Sequence, residues 1–159
     1  MKKLMLLALV LILALTLNAC INEKTEPTVV YSFYGQCDDY VISNGTIVLS
    51  GSENIFYGGN LQAAKPENFK NISSYTATFY IEVGDKQEIV FVDKLLNNSS
   101  VKLLNSDLGK TISDDSGMYE LFSELYNSNG SFWCDLKTTD IDGNSYSDSI
   151  ALELTKITE

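Results

Sequence analysis

Three cysteines, 21 acidic residues and no histidine set the chemistry open to this 159-residue chain. Histidine is the usual general base near neutral pH and the commonest metal ligand, so catalytic triads with histidine and His-based zinc sites are excluded. Cys20 stands at the end of an ordered segment: Lys2 and Lys3, an apolar run over residues 4–17, Asn18, the small residue Ala19, then the thiol. A thiolate is a strong nucleophile, and the small residue before it suits cleavage next to it. Cys37 and Cys134 are the other two thiols. Asp140, Asp142 and Asn144 place oxygen atoms at positions 1, 3 and 5 of a loop, the way an EF-hand begins. Glycine then falls at Gly143, position 4 and not 6, and position 12 is Ala151. The EF-hand reading fails. An Asp–Gly–Asn turn takes its place, with a weak calcium-binding surface domain as an alternative.

Two further motifs dissolve on inspection. Ser99-Ser100-Val101-Lys102 matches the S-x-x-K nucleophile motif, but no S-D-N or K-T-G accompanies it. Gly109-Lys110-Thr111 echoes a phosphate loop, yet Leu104 stands where that loop needs glycine. No constellation supports an enzyme, and no cofactor is expected.

The first segment has the build of a secretory signal: basic start, apolar run, small-residue cleavage site. The run is short of the roughly 20 apolar residues that span a bilayer, and the polar stretch Asn22-Glu23-Lys24-Thr25-Glu26 follows at once. The ending Leu17-Asn18-Ala19-Cys20 resembles the lipobox of bacterial lipoproteins. That resemblance implies a diacylglycerol on the Cys20 thiol and cleavage between Ala19 and Cys20. Two acyl chains give stable anchoring where one gives marginal binding. The expected organisation is a signal peptide over 1–19, a lipidated N-terminus and tether over 20–28, and one β domain over 29–159. The expected location is the extracytoplasmic face of the cell membrane, or the outer membrane in a Gram-negative source. The membrane is then a partner through diacylglyceryl-cysteine.

Residues 20–159 carry 9 lysines against 21 acidic residues, net −12, because Lys2 and Lys3 leave with the signal. That charge argues against nucleic acid and against electrostatic adhesion to anionic lipid. In an exported domain, Cys37 and Cys134 read as one disulfide closing nearly the whole domain. Loop entropy would make it worth about 4.7 kcal/mol at most. The alternative is two buried reduced thiols.

The elements that position these residues read mostly as strands. Val29 to Tyr34 is β-branched and aromatic. Asn44-Gly45 is a hairpin signal between Tyr40-Val41-Ile42 and Thr46-Ile47-Val48-Leu49. Ile55-Phe56-Tyr57 runs into Gly58-Gly59, and residues 62–73 read as loop. Over Tyr75 to Val83, Ala77, Phe79, Ile81 and Val83 share one face. Gly84-Asp85 turns the chain into a continuous apolar strand, Glu88 to Val92. Residues 94–116 read mainly as loop. Met118, Leu121, Phe122, Leu125 and Tyr126 fit a helical stripe with Asp115 or Ser116 as cap, although the Asn127-Ser128-Asn129-Gly130 turn also suits a strand. Phe132, Cys134, Leu136 and Thr138 line one face of a late strand, and Ile150, Ala151, Leu152 and Leu154 supply the last.

Short strands with turn signals every 8–12 residues indicate a sandwich or barrel. The stretch Phe132 to Tyr146 resembles the final hairpin of bacterial immunoglobulin-like domains. That resemblance implies an immunoglobulin-like β-sandwich of about 7–9 antiparallel strands, with Cys37 and Cys134 as its inter-sheet pair; the helical stripe adds one short helix near 116–126. The opening Val29 to Gly35 is similar to small lipoproteins of Gram-positive bacteria, a similarity that carries no activity. Tyr31, Tyr34, Tyr40, Tyr57, Tyr80 and Trp133 are candidates to face outward, where aromatics anchor protein interfaces or stack on sugars. Trp133 is the foremost, since it points away from the face carrying Cys134. The function expected is a non-catalytic binding or scaffolding module with a protein or glycan partner. The alternative is a cell-envelope enzyme or enzyme inhibitor.

Overall fold

The structure is a computed structural model that describes residues 27–50, 53–65, 72–96, 106–114, 117–128 and 130–157. Antiparallel strands dominate it: β1 (Val29–Gln36), β2 (Tyr40–Leu49), β3 (Asn54–Tyr57), β4 (Asn60–Ala63), β5 (Ile72–Val83), β6 (Lys86–Leu96), β7 (Ser106–Asp107), β8 (Lys110–Ser113), β9 (Ser131–Asp140) and β10 (Ser145–Lys156). One helix, α1 (Gly117–Ser128), lies between β8 and β9. All ten strands join one sheet whose main path is β6-β5-β9-β10-β1-β2-β3-β8. Among the described residues the chain adopts the expected mainly β architecture with one short helix.

Two differences from the sequence reading come from one structural device. Asn44-Gly45 does not close a hairpin; β2 runs straight through it. The β1–β2 turn sits earlier, where the Cys37 N–H donates to the Tyr40 carbonyl at 2.9 Å. Asn44 has a φ of 58°, and the β1–β2 register slips between Phe33 and Gly35, so Asn44 forms a bulge. On the other side of β2, the pairings Thr46↔Tyr57 and Ser43↔Asn60 keep one register across Gly58-Gly59. The pairings Tyr57↔Lys110 and Asn60↔Asp107 do the same across Leu108-Gly109. Gly58 N–H donates to the Gly109 carbonyl and Leu108 N–H to the Gly59 carbonyl. β3–β4 and β7–β8 are therefore two strands, each creased at its middle, and the creases align in a row that begins at Asn44-Gly45. Sequence reading assigned parts of both to loops because each straight piece is four residues or fewer. β6 also extends to Leu96, past the expected loop start at residue 94.

The crease folds the sheet over its own inner face. The Phe33 ring lies against the backbone at Gly45, where an added Cβ would sit 2.1 Å from the ring. Gly59 has a φ of +81° and an added Cβ there would meet the Ser43 carbonyl at 2.3 Å, so both crease positions exclude a side chain. Phe56, on β3, then reaches across the core to Phe79 on β5 and Phe91 on β6, with ring centroids 5.1 Å away in each case. Phe33 meets Phe132 edge-on at 5.2 Å, a favoured aromatic geometry. The two halves of the sheet thus face one another in a sandwich- or barrel-like arrangement.

The expected faces of β5 and β9 are the ones buried: Ala77, Phe79 and Ile81, and Phe132, Cys134, Leu136 and Thr138. α1 closes one end. Phe122 and Leu125 are its buried residues, and Phe122 packs on Tyr31 and Phe132 at 6.3 and 5.8 Å. The expected caps Asp115 and Ser116 lie outside the described residues. At the opposite end the buried Tyr40 hydroxyl donates to Thr138 Oγ1 at 3.3 Å, and burial pushes its pKa up to about 12.

The crease yields a direct prediction. Gly45→Ala should lower stability by about 1–3 kcal/mol through overpacking against Phe33, read as the urea midpoint. Phe33→Leu in the same chain should recover part of that loss. An unchanged midpoint in the single variant would remove the crease from the account.

Candidate functional site

Strand lengths at the α1 end leave a gap in the sheet. The last β9–β10 pair is Phe132↔Leu152, whereas β10 continues beside β1 to Lys156, opposite Tyr31. β9 ends early because its chain must turn at Gly130 to join α1. Gly130 fits there without a side chain, since an added Cβ would lie 2.8 Å from the Glu82 carbonyl and 3.0 Å from Leu125. The result is a cleft of about 340 Å³ lined by Leu125, Tyr126, Phe132, Trp133, Leu152 and Leu154 among others. That volume is at the lower end for sites that hold a ligand or a side chain.

Trp133 lies on the outer face of β9, in register with Tyr80 on β5 and Ala151 on β10. It is half-buried, and its indole N–H is buried with no hydrogen-bond partner. Such an unmet donor costs about 1–3 kcal/mol. Below it, Ser149 Oγ donates to Asp135 Oδ1 at 2.6 Å and the Tyr80 hydroxyl donates to the same oxygen at 3.3 Å. This triplet staples β5, β9 and β10 together on the outside. Burial first, and the Asp135 carboxylate second, push Tyr80 up to about 12, so its phenol stays protonated and remains a donor.

The other expected residues disperse. Tyr34 is exposed, at 42 %, and donates to Gln36 Oε1 at 2.7 Å beside a groove lined by Ser32, Ser43, Asn44 and Glu153. Tyr57 is half-buried. Tyr31 and Tyr40 do not face outward: both are buried on the inner face, under α1 and over Thr138 respectively. Tyr80 keeps the outer face but is covered to 8 % exposure. Cys20, Ala19 and the Ser99–Lys102 motif lie outside the described residues. Lys110 and Thr111 are strand residues paired to β3, which is not the helix start that a phosphate loop needs.

No disulfide joins Cys37 to Cys134; both are free thiols in this structure. Cys134 is fully buried in mid-β9, and Cys37 is in the turn after β1. β10 lies between those strands, with Ile150 in register with Cys134. Strands two places apart in a sheet lie about 9.5 Å apart, so β1 and β9 themselves are too far apart for a disulfide, and Cys37, in the turn beyond β1, is not bonded to Cys134. Burial, with the Asp135 carboxylate next, pushes the Cys134 thiol well above its ordinary range.

The Asp140 loop is the expected turn between β9 and β10. Asp140 Oδ1 accepts from the backbone N–H of Asp142 and Asn144 at 2.9 and 2.8 Å, and Oδ2 accepts from Asn144 Nδ2 at 2.9 Å and the Tyr146 hydroxyl at 3.4 Å. These bonds, the Asn144 side chain foremost, hold the carboxyl below its ordinary pKa of 3.8. The carboxylate's task is to tie the turn. Among the described residues no group of three or more His, Cys, Asp or Glu gathers as a metal site, and no helix is long and apolar enough to cross a membrane.

In comparisons with known proteins, no family model matches the chain, and no curated protein or solved structure matches it significantly.

Because the folded-state pKa of Asp140 is depressed, its contribution to stability is present above the unfolded value and is lost as pH falls through the folded one. Asp140→Ala should therefore melt below the wild type at pH 7. The two melting curves should converge as pH drops past 3.8. A gap that stays constant into acid would contradict the caged carboxylate.

Proposed function

We propose that this chain is a bacterial lipoprotein held at the extracytoplasmic face of a membrane through diacylglyceryl-Cys20, and that its immunoglobulin-like β domain binds a protein partner without catalysis. The anchoring half rests on one observation, the Leu17-Asn18-Ala19-Cys20 ending after a basic start and an apolar run. The chain reaches β1 only nine residues after Cys20. An extended chain covers at most about 3.3–3.6 Å per residue, so the domain is held within about 30 Å of the lipid.

The binding half rests on the cleft at the α1 end, where Trp133 and Tyr126 stand beside a strand edge. Aromatic residues flanking an apolar recess are the usual anchors of protein interfaces. The nearby polar cluster supports binding over reaction. The Ser149 and Tyr80 hydroxyls both donate to Asp135, and the chain has no histidine to take a proton from either. A glycan partner is the second form of this reading, supported by exposed Tyr34 and the hydroxyl-lined groove beside it.

The test is metabolic labelling with an alkyne-bearing fatty acid in a bacterial host expressing the full chain. Wild-type protein should carry the label and sediment with membranes. Cys20→Ser should lose the label and leave the membrane fraction. Retention of a Cys20→Ser protein on the membrane would sink the anchoring half.

A further inference from the structure

The cleft opens onto backbone as well as side chains. Ile157 N–H donates to the Val30 carbonyl at 2.8 Å, so Ile157 points its backbone groups toward β1. Strand alternation then turns Thr155 and Glu153 toward β1 as well. Leu154 and Lys156 point theirs the other way, to the side where β9 has already ended at the Phe132↔Leu152 pair. Among the described residues no strand pairs with β10 on that side beyond Leu152. This is an edge inside a sheet, a few residues long, with a recess at its foot lined largely by apolar side chains, Trp133 among them.

The geometry points to strand addition at this gap: an extended segment of a partner protein pairs with the Leu154–Lys156 edge of β10 and inserts one apolar side chain between Tyr126 and Trp133. Backbone hydrogen bonds would supply affinity, and the recess would select the side chain, as in other cases of strand augmentation. Charge gives the partner its sign. Glu82 accepts from Ser131 Oγ at the cleft's edge, and exposed Glu124 precedes cleft-lining Leu125 on α1. Lys156 adds one positive charge on the open edge, but the surrounding domain is strongly acidic, at net −12 for residues 20–159. The segment that fits is therefore lysine- or arginine-rich, with apolar residues alternating along it. The inference deepens the protein-binding reading above and rests on it.

Trp133 is the only tryptophan, so its emission reports the cleft. The full-length protein, placed in phosphatidylcholine nanodiscs, is titrated with three synthetic peptides, and empty nanodiscs serve as the blank. An alternating lysine–leucine peptide should shift Trp133 emission saturably, and less so as salt rises. The same peptide methylated on alternate amides, on the edge that pairs, should bind about tenfold or more weakly through lost backbone bonds. A glutamate–leucine peptide should bind more weakly still. Tyr126→Ser should weaken the first peptide without moving the melting temperature much, since Tyr126 is 54 % exposed. Equal binding of the methylated peptide would overturn strand addition, equal binding of the acidic peptide would overturn the charge assignment, and an unmoved emission would overturn both. A gap already filled by a second copy of the chain would show as a dimer that ignores all three peptides, and that too overturns the proposal. The lipid on Cys20 is read separately by mass on the same sample, so a failure here is distinct from a failure of the anchor.

Discussion

The contact of the Phe33 ring with the backbone at Gly45 is the constraint on which the rest of this molecule depends. A single hydrogen-bonded sheet this wide has one inner face to bury and, among the described residues, no second sheet to bury it against. It solves the problem by creasing. At Asn44-Gly45, Gly58-Gly59 and Leu108-Gly109 the strands bend together, and the left-handed φ of Asn44, Gly59 and Gly109 falls in that row. The bend brings Phe56 over Phe79 and Phe91, and a cluster of phenylalanines fills the space between the halves. Gly109 comes to lie 3.3 Å from Asp93 Oδ1 by its added Cβ, so the two outer strands of the path approach each other. Tyr75 donates to the other Asp93 oxygen at 2.6 Å.

The cleft follows from the same economy of strands. A folded sheet has open ends, and α1 is spent on closing one of them, with Phe122 and Leu125 turned inward. To reach that helix, β9 must leave the sheet before β10 does. The gap beside Leu154 is the geometric remainder of that departure. It is lined with apolar side chains because Leu152, Leu154 and Phe132 belong to the inner face, and it carries Trp133 because the outer face begins there. β1 begins at this same end of the sheet, with Tyr31 opposite Lys156.

Much of this was legible in the residues. Phe132, Cys134, Leu136 and Thr138 alternate without exception and are all buried; the helical stripe from Met118 to Tyr126 forms a helix, with Phe122 and Leu125 as its buried members. Trp133 was readable as an outward residue because Cys134 beside it had to face in. The Asn44-Gly45 pair misled because its turn chemistry is real: Asn44 does adopt positive φ, but in a bulge, and local propensity cannot say whether the chain then reverses or continues. β7 and β8 were missed because strands of two and four residues, partly polar, have no period to read. Tyr31 and Tyr40 were candidates to face outward by alternation, yet each sits at an end of the fold, where a phenol can bury its ring and still find an aromatic or hydroxyl neighbour. The cleft itself was not legible. It depends on two neighbouring strands ending at different residues, which no single stretch of sequence encodes.

Residue-resolved amide hydrogen exchange along β10 tests the central geometric claim most directly. The Leu152 amide, paired to Phe132, and the Glu153 and Thr155 amides, facing β1, should exchange slowly. The Leu154 and Lys156 amides should exchange much faster, since no neighbouring strand covers them among the described residues. Slow exchange at Leu152, Glu153 and Thr155 with fast exchange at Leu154 and Lys156 is the predicted result. Uniformly slow exchange across those five residues would show a fully paired strand, with no open edge beside Trp133.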